Sequence, residues 1–544
     1  MPTPPSSPAP TPRAAEPGRA YDDPELLTLL ARPHPGQREV PRARQIFVNR
    51  NLRMDKIELV GFDMDYTLAI YQLRHLEELA FGLTLARMVS QLGYPPAVGA
   101  LRYDPEFVIR GLVMDKQTGN IFKMDRHNHC GRCYHGRRPL PYEEMRRLYR
   151  DEKIHLSLPR FAWIDTLFAL PEACLFAEII ELLEGQGQQV DYGKLYDDIR
   201  ESIDTVHRDG TLKAVVMRDL PRYLVKDLEL GPALHKLRSG GKKLFVLTNS
   251  LADYTEAVMG HILDGVLPEY PSWRNYFDVV ITGAGKPGFF AERRPLHELA
   301  PDLSRAGEAH ALERGKLYEG GDLPTFEKLM GIGGDRVLYV GDHIYGDILR
   351  TKRSSLWRTC MIVQELEPEL AWLERNGEAL EEMTRLEELR ARVDDELAVH
   401  KSGLNALERR LDREPIAPAT REELEGERRR FKHEMEGLRH ALRDANARID
   451  ALQRQVEEGY NRYWGLTFKE GSENSRFGEQ IEDYACIYTS RVSNLLFYSP
   501  MQYFRSLRAA MPHERLALRL TPYGDEHAPP VAGSRPSKWS KASR

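Results

Sequence analysis

Two aspartates end an apolar segment near the start of this chain, and this feature constrains the fold most. Asp63 and Asp65 follow directly after the largely apolar run 57–62. A strand that ends in Asp-x-Asp places both carboxylates at the carboxyl edge of a sheet, where α/β proteins bind ligands. One carboxylate can attack an electrophile while its neighbour transfers the proton. Taken alone, the pattern is explained equally well by two solvated aspartates at a strand end.

Three later segments repeat the arrangement of an apolar strand followed by polar side chains. Hydroxyl and amide donors follow the strand at 243–247, a compact positive charge follows the strand at 277–282, and two acids follow the strand at 337–341. The side chains concerned are Thr248, Asn249, Ser250, Lys286, Asp342 and Asp347. One such transition is ordinary, but four in this order are hard to obtain by chance.

In this order the segments resemble the haloacid dehalogenase superfamily of phosphotransferases, and within it the cytosolic purine 5'-nucleotidases that prefer IMP and GMP. The motifs that carry the similarity lie at 63–69, 198–213, 341–347 and 511–514. The similarity extends from about residue 45 to about residue 515, so it concerns a whole fold and not a single motif.

The resemblance implies an α/β fold with a Rossmann-like parallel-sheet core. That core would be formed by 41–72 and 236–364, with a large cap domain at 73–235 inserted between the first and second motifs. The insertion is far longer than a crossover helix requires. A cap of this kind closes over the site and excludes water from the phosphoryl group. Beyond the core we expect a helical hairpin at 365–460 and, at 461–520, a segment that packs on the core or at a subunit interface.

The resemblance also implies a role for each acid. Asp63 would be the nucleophile that forms an aspartyl-phosphate, and Asp65 would protonate the leaving ribose oxygen and later activate water. Mg²⁺ would be held by the Asp63 carboxylate, the Asp65 backbone carbonyl and Asp342. Asp347 would orient a metal-bound water from outside the ligand set. The remaining phosphate oxygens would be bound by Thr248, Asn249, Ser250 and Lys286.

Three residues of the insertion match positions that contact the nucleotide in the similar family: Arg200, Asp204 and Lys213. Arg200 and Asp204 lie four residues apart, so one helical face can present a donor and an acceptor together. The alternative is a surface ion pair. His155 and Asp165 stand where relatives activated by nucleotides have Arg and Asn, so effector activation is not implied.

The sequence therefore predicts an Mg²⁺-dependent 5'-nucleotidase that hydrolyses purine nucleoside 5'-monophosphates, and it leaves open a phosphotransferase activity toward nucleosides. An acid at position 65 favours phosphoryl transfer over dehalogenation, since a halide leaves without a proton. One alternative is a phosphatase of another small phosphomonoester, such as a sugar phosphate. A second is a non-catalytic scaffold that uses the helical hairpin.

Composition limits the partners and the compartment. The chain has 544 residues, 41% of them hydrophobic, and a net charge of −5. It can bury a large core, and its charge supports neither nucleic-acid nor membrane binding. No apolar run approaches the ~18 residues of a membrane span, and five cysteines suggest a reducing compartment. We expect a cytoplasmic homo-oligomer, a dimer or tetramer. The leader 1–40 and the basic tail 521–544 are predicted to be disordered.

Two further patterns invite a structural interpretation. Cys130 and Cys133 stand with three histidines inside 127–135, enough ligands for Zn²⁺. Since no second ligand pair follows, a cysteine-containing β-hairpin is favoured. Between 365 and 460, leucines recur at heptad-like spacing around a break at 414–419, which indicates an antiparallel hairpin of two helices. Thr420 and Glu423 predict a capping box at the start of the second helix. The alternative is two amphipathic helices lying on the core.

Overall fold

The structure is a computed structural model, and it describes residues 40–149, 154–344, 347, 355–413 and 417–507. The tail 521–544, the motif at 511–514 and all of the leader except residue 40 lie outside the described residues.

Strands and helices alternate along much of the chain. In chain order the strands are β1 (Phe47–Val48), β2 (Leu52–Arg53), β3 (Leu59–Phe62), β4 (Ile70–Tyr71), β5 (Leu112–Asp115), β6 (Asn120–Met124), β7 (Cys130–His135), β8 (Arg138–Pro139), β9 (Phe161–Trp163), β10 (Leu224–Val225), β11 (Lys243–Leu247), β12 (Val279–Thr282), β13 (Leu296–Leu299), β14 (Arg305–Glu308), β15 (Leu317–Gly320), β16 (Val337–Gly341), β17 (Arg358–Ile362), β18 (Lys469–Glu470), β19 (Glu473–Asn474), β20 (Ile487–Thr489) and β21 (Tyr503–Phe504).

The α-helices of the described residues are α1 (Leu73–Leu92), α2 (Tyr142–Tyr149), α3 (Leu170–Gly185), α4 (Tyr192–Arg208), α5 (Thr211–Arg218), α6 (Leu220–Tyr223), α7 (Leu230–Ser239), α8 (Ala252–Leu263), α9 (Gly288–Ala291), α10 (Leu323–Met330), α11 (Leu366–Arg375), α12 (Gly377–Arg413), α13 (Pro418–Tyr460) and α14 (Arg476–Tyr484).

One ten-stranded sheet forms the centre of the molecule, in the order β1-β20-β17-β16-β3-β11-β12-β15-β13-β14. The strands from β20 to β15 run parallel, which confirms an α/β fold with a large parallel sheet. Strand β3 lies between β11 and β16, with Val60 in register with Leu244 on one side and Leu338 on the other. The carboxyl ends of these strands therefore meet at one edge.

Both faces of this sheet are covered at its centre, which explains why the central strands β3 and β16 are buried at every position and carry no charged residue. Val60 and Phe62 pack in a cluster with α7 and α8 on one face, and Leu59 packs in a cluster with α10 on the other. Gly61 is required between them, because a Cβ atom there would lie 2.0 Å from the Phe245 Cζ atom.

The chain between β4 and β10 forms a body of its own secondary structure. It contains helices α1 to α6 and an antiparallel sheet in the order β8-β7-β6-β5-β9. The chain leaves the large sheet through β4 and returns through β10, and these two strands pair with Leu224 opposite Tyr71. We call residues 73–223 the insert. Its assignment as a cap domain stays a prediction.

Helices α12 and α13 pack against each other as an antiparallel pair. His400 Nε2 lies 3.1 Å from a Glu434 oxygen, and Arg448 Nε donates to Glu382 at 2.9 Å. Because 400 pairs with 434 and 382 with 448, the two helices run in opposite directions. The prediction that Thr420 caps the second helix is wrong. The helix begins two residues earlier, at Pro418, since proline at the first helical position has a suitable φ and no N–H to satisfy.

The segment after α13 contributes directly to the large sheet. Strand β20 pairs with β17 in parallel and with β1 in antiparallel fashion, and Trp464 is completely buried. The sequence predicted packing on the core or at an interface, and did not predict a strand here. Among the described helices, none is long and apolar enough to cross a bilayer.

Candidate active site

Three strand ends, those of β3, β12 and β16, bring a lysine and three aspartates together at the carboxyl edge of the large sheet. Lys286 Nζ lies 2.9 Å from Asp63 Oδ1 and 2.7 Å from Asp347 Oδ1. Tyr339, on the central strand β16, accepts a further hydrogen bond from this ammonium group at 2.9 Å. The Lys286 side chain is 4% exposed, so it points inward. Although burial lowers its pKa, the Asp347 and Asp63 carboxylates raise the pKa well above its usual value.

Asp63, Asp342 and Asp347 form a compact set of oxygen ligands. One carboxylate oxygen from each lies within 4.8 Å of the others, and no other such set of three potential ligands occurs within the described residues. Burial raises the pKa of Asp63 well above its ordinary value and that of Asp342 to about 7, with the neighbouring carboxylates adding to both effects. Hard oxygen donors with uncompensated negative charge fit Mg²⁺. Asp347 belongs to this set of three, whereas the family resemblance implied a position outside the metal ligands.

Asp65 points to a different group of partners. Tyr71 donates its hydroxyl hydrogen bond to Asp65 Oδ1 at 2.6 Å, and Ser250 donates to Oδ2 at 2.7 Å. The Tyr254 hydroxyl lies 3.0 Å from that of Tyr71. Sequence analysis missed both tyrosines, and it assigned Ser250 to phosphate binding. No motif signalled these contacts: Ser250 and Tyr254 come from a distant part of the chain, and Tyr71 follows Asp65 by six residues, a spacing that no motif singled out.

The residues after β11 shape the loops around Lys286. The Thr248 hydroxyl, fully buried, accepts the Ser250 backbone N–H at 3.1 Å. The Asn249 side chain accepts from the Lys286 N–H at 2.6 Å and donates to the Lys286 carbonyl at 3.0 Å. These contacts hold the loops after β11 and β12 together, which sets the position of the lysine side chain.

A cavity of about 490 Å³ opens beside Asp65, between the insert and the sheet edge. From the insert it is lined by Phe168, Asp204, His207 and Lys213, and from the sheet side by Ser250 and Tyr254, among others. Its walls combine aromatic surface with charged and polar groups, as small-molecule sites commonly do.

Comparison with known proteins identifies the family. The model of the 5' nucleotidase family matches residues 46–516. The chain belongs to the 5' nucleotidase family. It is therefore a phosphoric monoester hydrolase, and the family indicates hydrolysis of nucleoside monophosphates.

Three relatives show how far the similarity extends. A 5'-nucleotidase domain-containing protein of Dictyostelium discoideum is 32% identical over 480 residues, covering 87% of this chain and 75% of the relative. Human 5'-nucleotidase domain-containing protein 2 is 33% identical over 371 residues, 66% of this chain and 69% of its own. The rat protein of that name is 33% identical over 343 residues, which is 60% of each chain.

In this 5'-nucleotidase, Asp204 and Lys213 line the cavity, whereas Arg200 is not among the residues that line it. The Arg200 guanidinium binds buried Glu172 at 2.9 Å and Asp204 at 3.0 Å. The ion pair that was the alternative interpretation is thus present, and its geometry lets Arg200 orient Asp204. Phe168 and His207 line the cavity with their rings 5.6 Å apart, and the sequence analysis singled out neither.

A buried arginine of the insert holds the loop that carries Asp342. Arg110 donates two hydrogen bonds of 2.6 Å to Glu365 and one of 2.8 Å to the Asp342 carbonyl. It also lies 3.9 Å from the Asp342 carboxylate. Asp165 approaches the same loop, 3.4 Å from His343. In the sequence, the only sign that Arg110 is buried is its position as a charged residue within a largely apolar segment.

The cysteine segment of this 5'-nucleotidase is a strand, β7, paired with β6. His129 lies 3.2 Å from an Asp125 oxygen, and His135 lies 2.9 Å from both Asn120 and Glu184. The histidines are thus engaged with other side chains, and no set of three clustered ligands forms there within the described residues. The β-hairpin interpretation agrees with this geometry.

Proposed function

We propose that this protein is an Mg²⁺-dependent 5'-nucleotidase that hydrolyses purine nucleoside 5'-monophosphates of the IMP and GMP type, with a haloacid dehalogenase-like core and the insert as its cap. The observation that carries the proposal is the position of Asp63. Its carboxylate lies 2.9 Å from Lys286 and within 4.8 Å of Asp342 and Asp347. An attacking acid, a cation and a metal-binding pair are thereby adjacent.

The chain's own groups account for the transfer. An Asp63 oxygen attacks phosphorus, the bond from phosphorus to the 5' oxygen breaks, and Asp65 gives its proton to that oxygen. Asp65 then takes a proton from water as the water oxygen attacks phosphorus, which releases phosphate and regenerates Asp63. A nucleoside hydroxyl in place of water gives the phosphotransferase reaction. Lys286 balances the charge on the phosphoryl oxygens.

Asp63, Asp342 and the backbone carbonyl of Asp65 would hold Mg²⁺, and Asp347 would contact it through water or directly. When bound, the ion supplies a positive charge that polarises the phosphoryl group. When ionised, these three carboxylates carry more negative charge than Lys286 neutralises, and a divalent cation held among them would offset the excess.

The cavity supports a nucleotide substrate. Phe168 offers a ring for stacking a base, and Asp204 and Lys213 offer an acceptor and a donor for base or ribose. Its volume of about 490 Å³ lies within the range of small-molecule pockets. We further propose that the protein acts as a cytoplasmic homo-oligomer.

The test is phosphate release from IMP, GMP, AMP and a sugar phosphate, with Mg²⁺ and with EDTA. We expect IMP and GMP to be hydrolysed fastest, EDTA to stop turnover, and Asp63→Asn to abolish it. Asp335→Asn is the control, because it removes the same charge at an exposed position. Asp335 precedes the first residue of β16, whereas the site lies after the last residue of that strand. Equal slow rates on all four substrates would defeat the nucleotide claim. Unchanged turnover in Asp63→Asn would favour the scaffold alternative.

A further inference from the structure

Both carboxylate oxygens of Asp65 accept hydrogen bonds from buried hydroxyl groups. Tyr71 donates to Oδ1 at 2.6 Å, Ser250 donates to Oδ2 at 2.7 Å, and Tyr254 extends the chain at 3.0 Å from Tyr71. These three hydroxyl residues are each 3% to 5% exposed. Two bonds to different oxygens fix the plane of a carboxyl group, which a single bond leaves free to rotate.

Tyr71 lies at the junction between the insert and the large sheet. It is the last residue of β4, opposite Leu224 of β10, and the next backbone N–H, of Gln72, donates to the Tyr223 carbonyl at 2.8 Å. The chain enters the insert just after this tyrosine, and it returns from the insert on the strand that pairs with it. Its ring packs 5.0 Å from that of Tyr66.

Tyr254 supports the hydroxyl of Tyr71 from the sheet side. It lies on α8, in the helix that follows Ser250, and the Lys213 ammonium group lies 4.9 Å from the centre of its ring. Since Tyr71 donates to Asp65, its hydroxyl oxygen accepts from Tyr254. Tyr71 is therefore held through its ring, its strand and its hydroxyl.

We propose that Tyr71 is a positioning residue that, together with Ser250, orients Asp65 toward the leaving-group oxygen. The inference rests on the proposed function. Each carboxyl oxygen has two lone pairs, so accepting one hydrogen bond leaves room for the proton that Asp65 transfers. Tyr71 and Ser250 keep their own protons throughout, and the proton balance of the reaction is unchanged. Ser250 is thereby assigned to Asp65 and not to phosphate.

This role predicts a dependence on the leaving group. A nucleoside oxygen must be protonated as it leaves, whereas the p-nitrophenolate of p-nitrophenyl phosphate leaves without a proton. The ratio kcat/KM covers only the steps up to release of the leaving group. It excludes the later hydrolysis, in which Asp65 acts with either substrate.

The experiment compares kcat/KM of the full chain and its Tyr71→Phe variant on IMP and on p-nitrophenyl phosphate. We expect a loss of about tenfold to a hundredfold on IMP, part of the contribution of a general acid, and a change under about threefold on p-nitrophenyl phosphate. Ser250→Ala should show the same contrast, and Tyr254→Phe a weaker one. Tyr94→Phe is the control, because it removes a comparable hydrogen bond of 2.7 Å, to Asp198 within the insert.

Each outcome decides the inference. Equal losses on both substrates, or no loss on IMP, would overturn it. If Tyr71→Phe unfolds at a lower temperature than wild type, Ser250→Ala carries the test, since it leaves the tyrosine ring in place. Wild-type protein that is inactive on both substrates would instead remove the proposed function. Activity on both with no contrast in any variant would remove only the role of Tyr71.

Discussion

Replacing Asp342 by asparagine should stabilise the metal-free protein while weakening its response to Mg²⁺. Asp342 is 3% exposed, and burial raises its pKa from 3.8 to about 7. The folded state therefore holds this proton more tightly than the unfolded chain does. The cost of ionising Asp342 in the folded state is absent below about pH 4, grows as the pH rises, and is complete above about pH 7.

The magnitude follows from the two pKa values. At about 1.4 kcal/mol for each pH unit, ionised Asp342 lowers the free energy of unfolding by about 4 kcal/mol at pH 8 and by about 2 kcal/mol at pH 5. Asparagine has nearly the same shape and no charge, so Asp342→Asn should exceed wild type by amounts of this order in EDTA. The advantage should be larger at pH 8 than at pH 5.

Urea unfolding followed by tryptophan fluorescence measures these differences, in EDTA and with excess Mg²⁺. An ion at 100 times its Kd adds about 2.7 kcal/mol to the wild type, and we expect a much smaller gain in Asp342→Asn. The exposed Asp335→Asn serves as the control and should behave as wild type. A variant that is less stable than wild type in EDTA at pH 8 would refute the reasoning, because buried negative charge would then not be the dominant cost.

Three further substitutions test packing, the buried ion pair and the cavity. Gly61→Ala should cost about 1–3 kcal/mol in urea unfolding, since its Cβ would lie 2.0 Å from a ring atom; Gly82→Ala, which meets nothing within 4 Å, should instead be neutral or stabilising. Arg110→Met should cost about 3–5 kcal/mol by leaving Glu365 unpaired, and adding Glu365→Leu should recover part of that loss; no recovery would contradict the pairing argument. Phe168→Ala should raise KM for IMP about tenfold, the scale of one base stack, and leave KM for p-nitrophenyl phosphate unchanged; equal rises would exclude stacking.

Much of the fold was accessible from local pattern. A parallel strand covered on both faces must be apolar at every position, and the chain marks its end with polar side chains. Strands β3, β11, β12 and β16 were recognised in this way, and with them Asp63, Asp65, Asp342 and Lys286. The start of α13 was misjudged because two turn signals compete there. A proline at the first helical position prevailed over the capping pattern at Thr420 and Glu423.

Two of the contacts that the sequence analysis missed join residues far apart in the chain. Ser250 meets Asp65 across 185 positions, and Arg110 meets Glu365 across 255. Neither pair has a spacing that any helix or strand repeats, so no periodicity could reveal it. Strand β20 was missed for a related reason. It is only three residues long, which is too short for an apolar pattern to indicate its place in the sheet.

The amino-acid sequence by itself determined which central strands end at the site and which polar and charged groups follow them. It could do so because the apolar pattern of a buried strand and the polar turn after it both lie within a few residues. Only the tertiary structure decided how those groups are held: the hydroxyls on Asp65, the guanidinium on the Asp342 loop, and the cavity between insert and sheet. These depend on the packing of distant segments, whose geometry is set by the whole core.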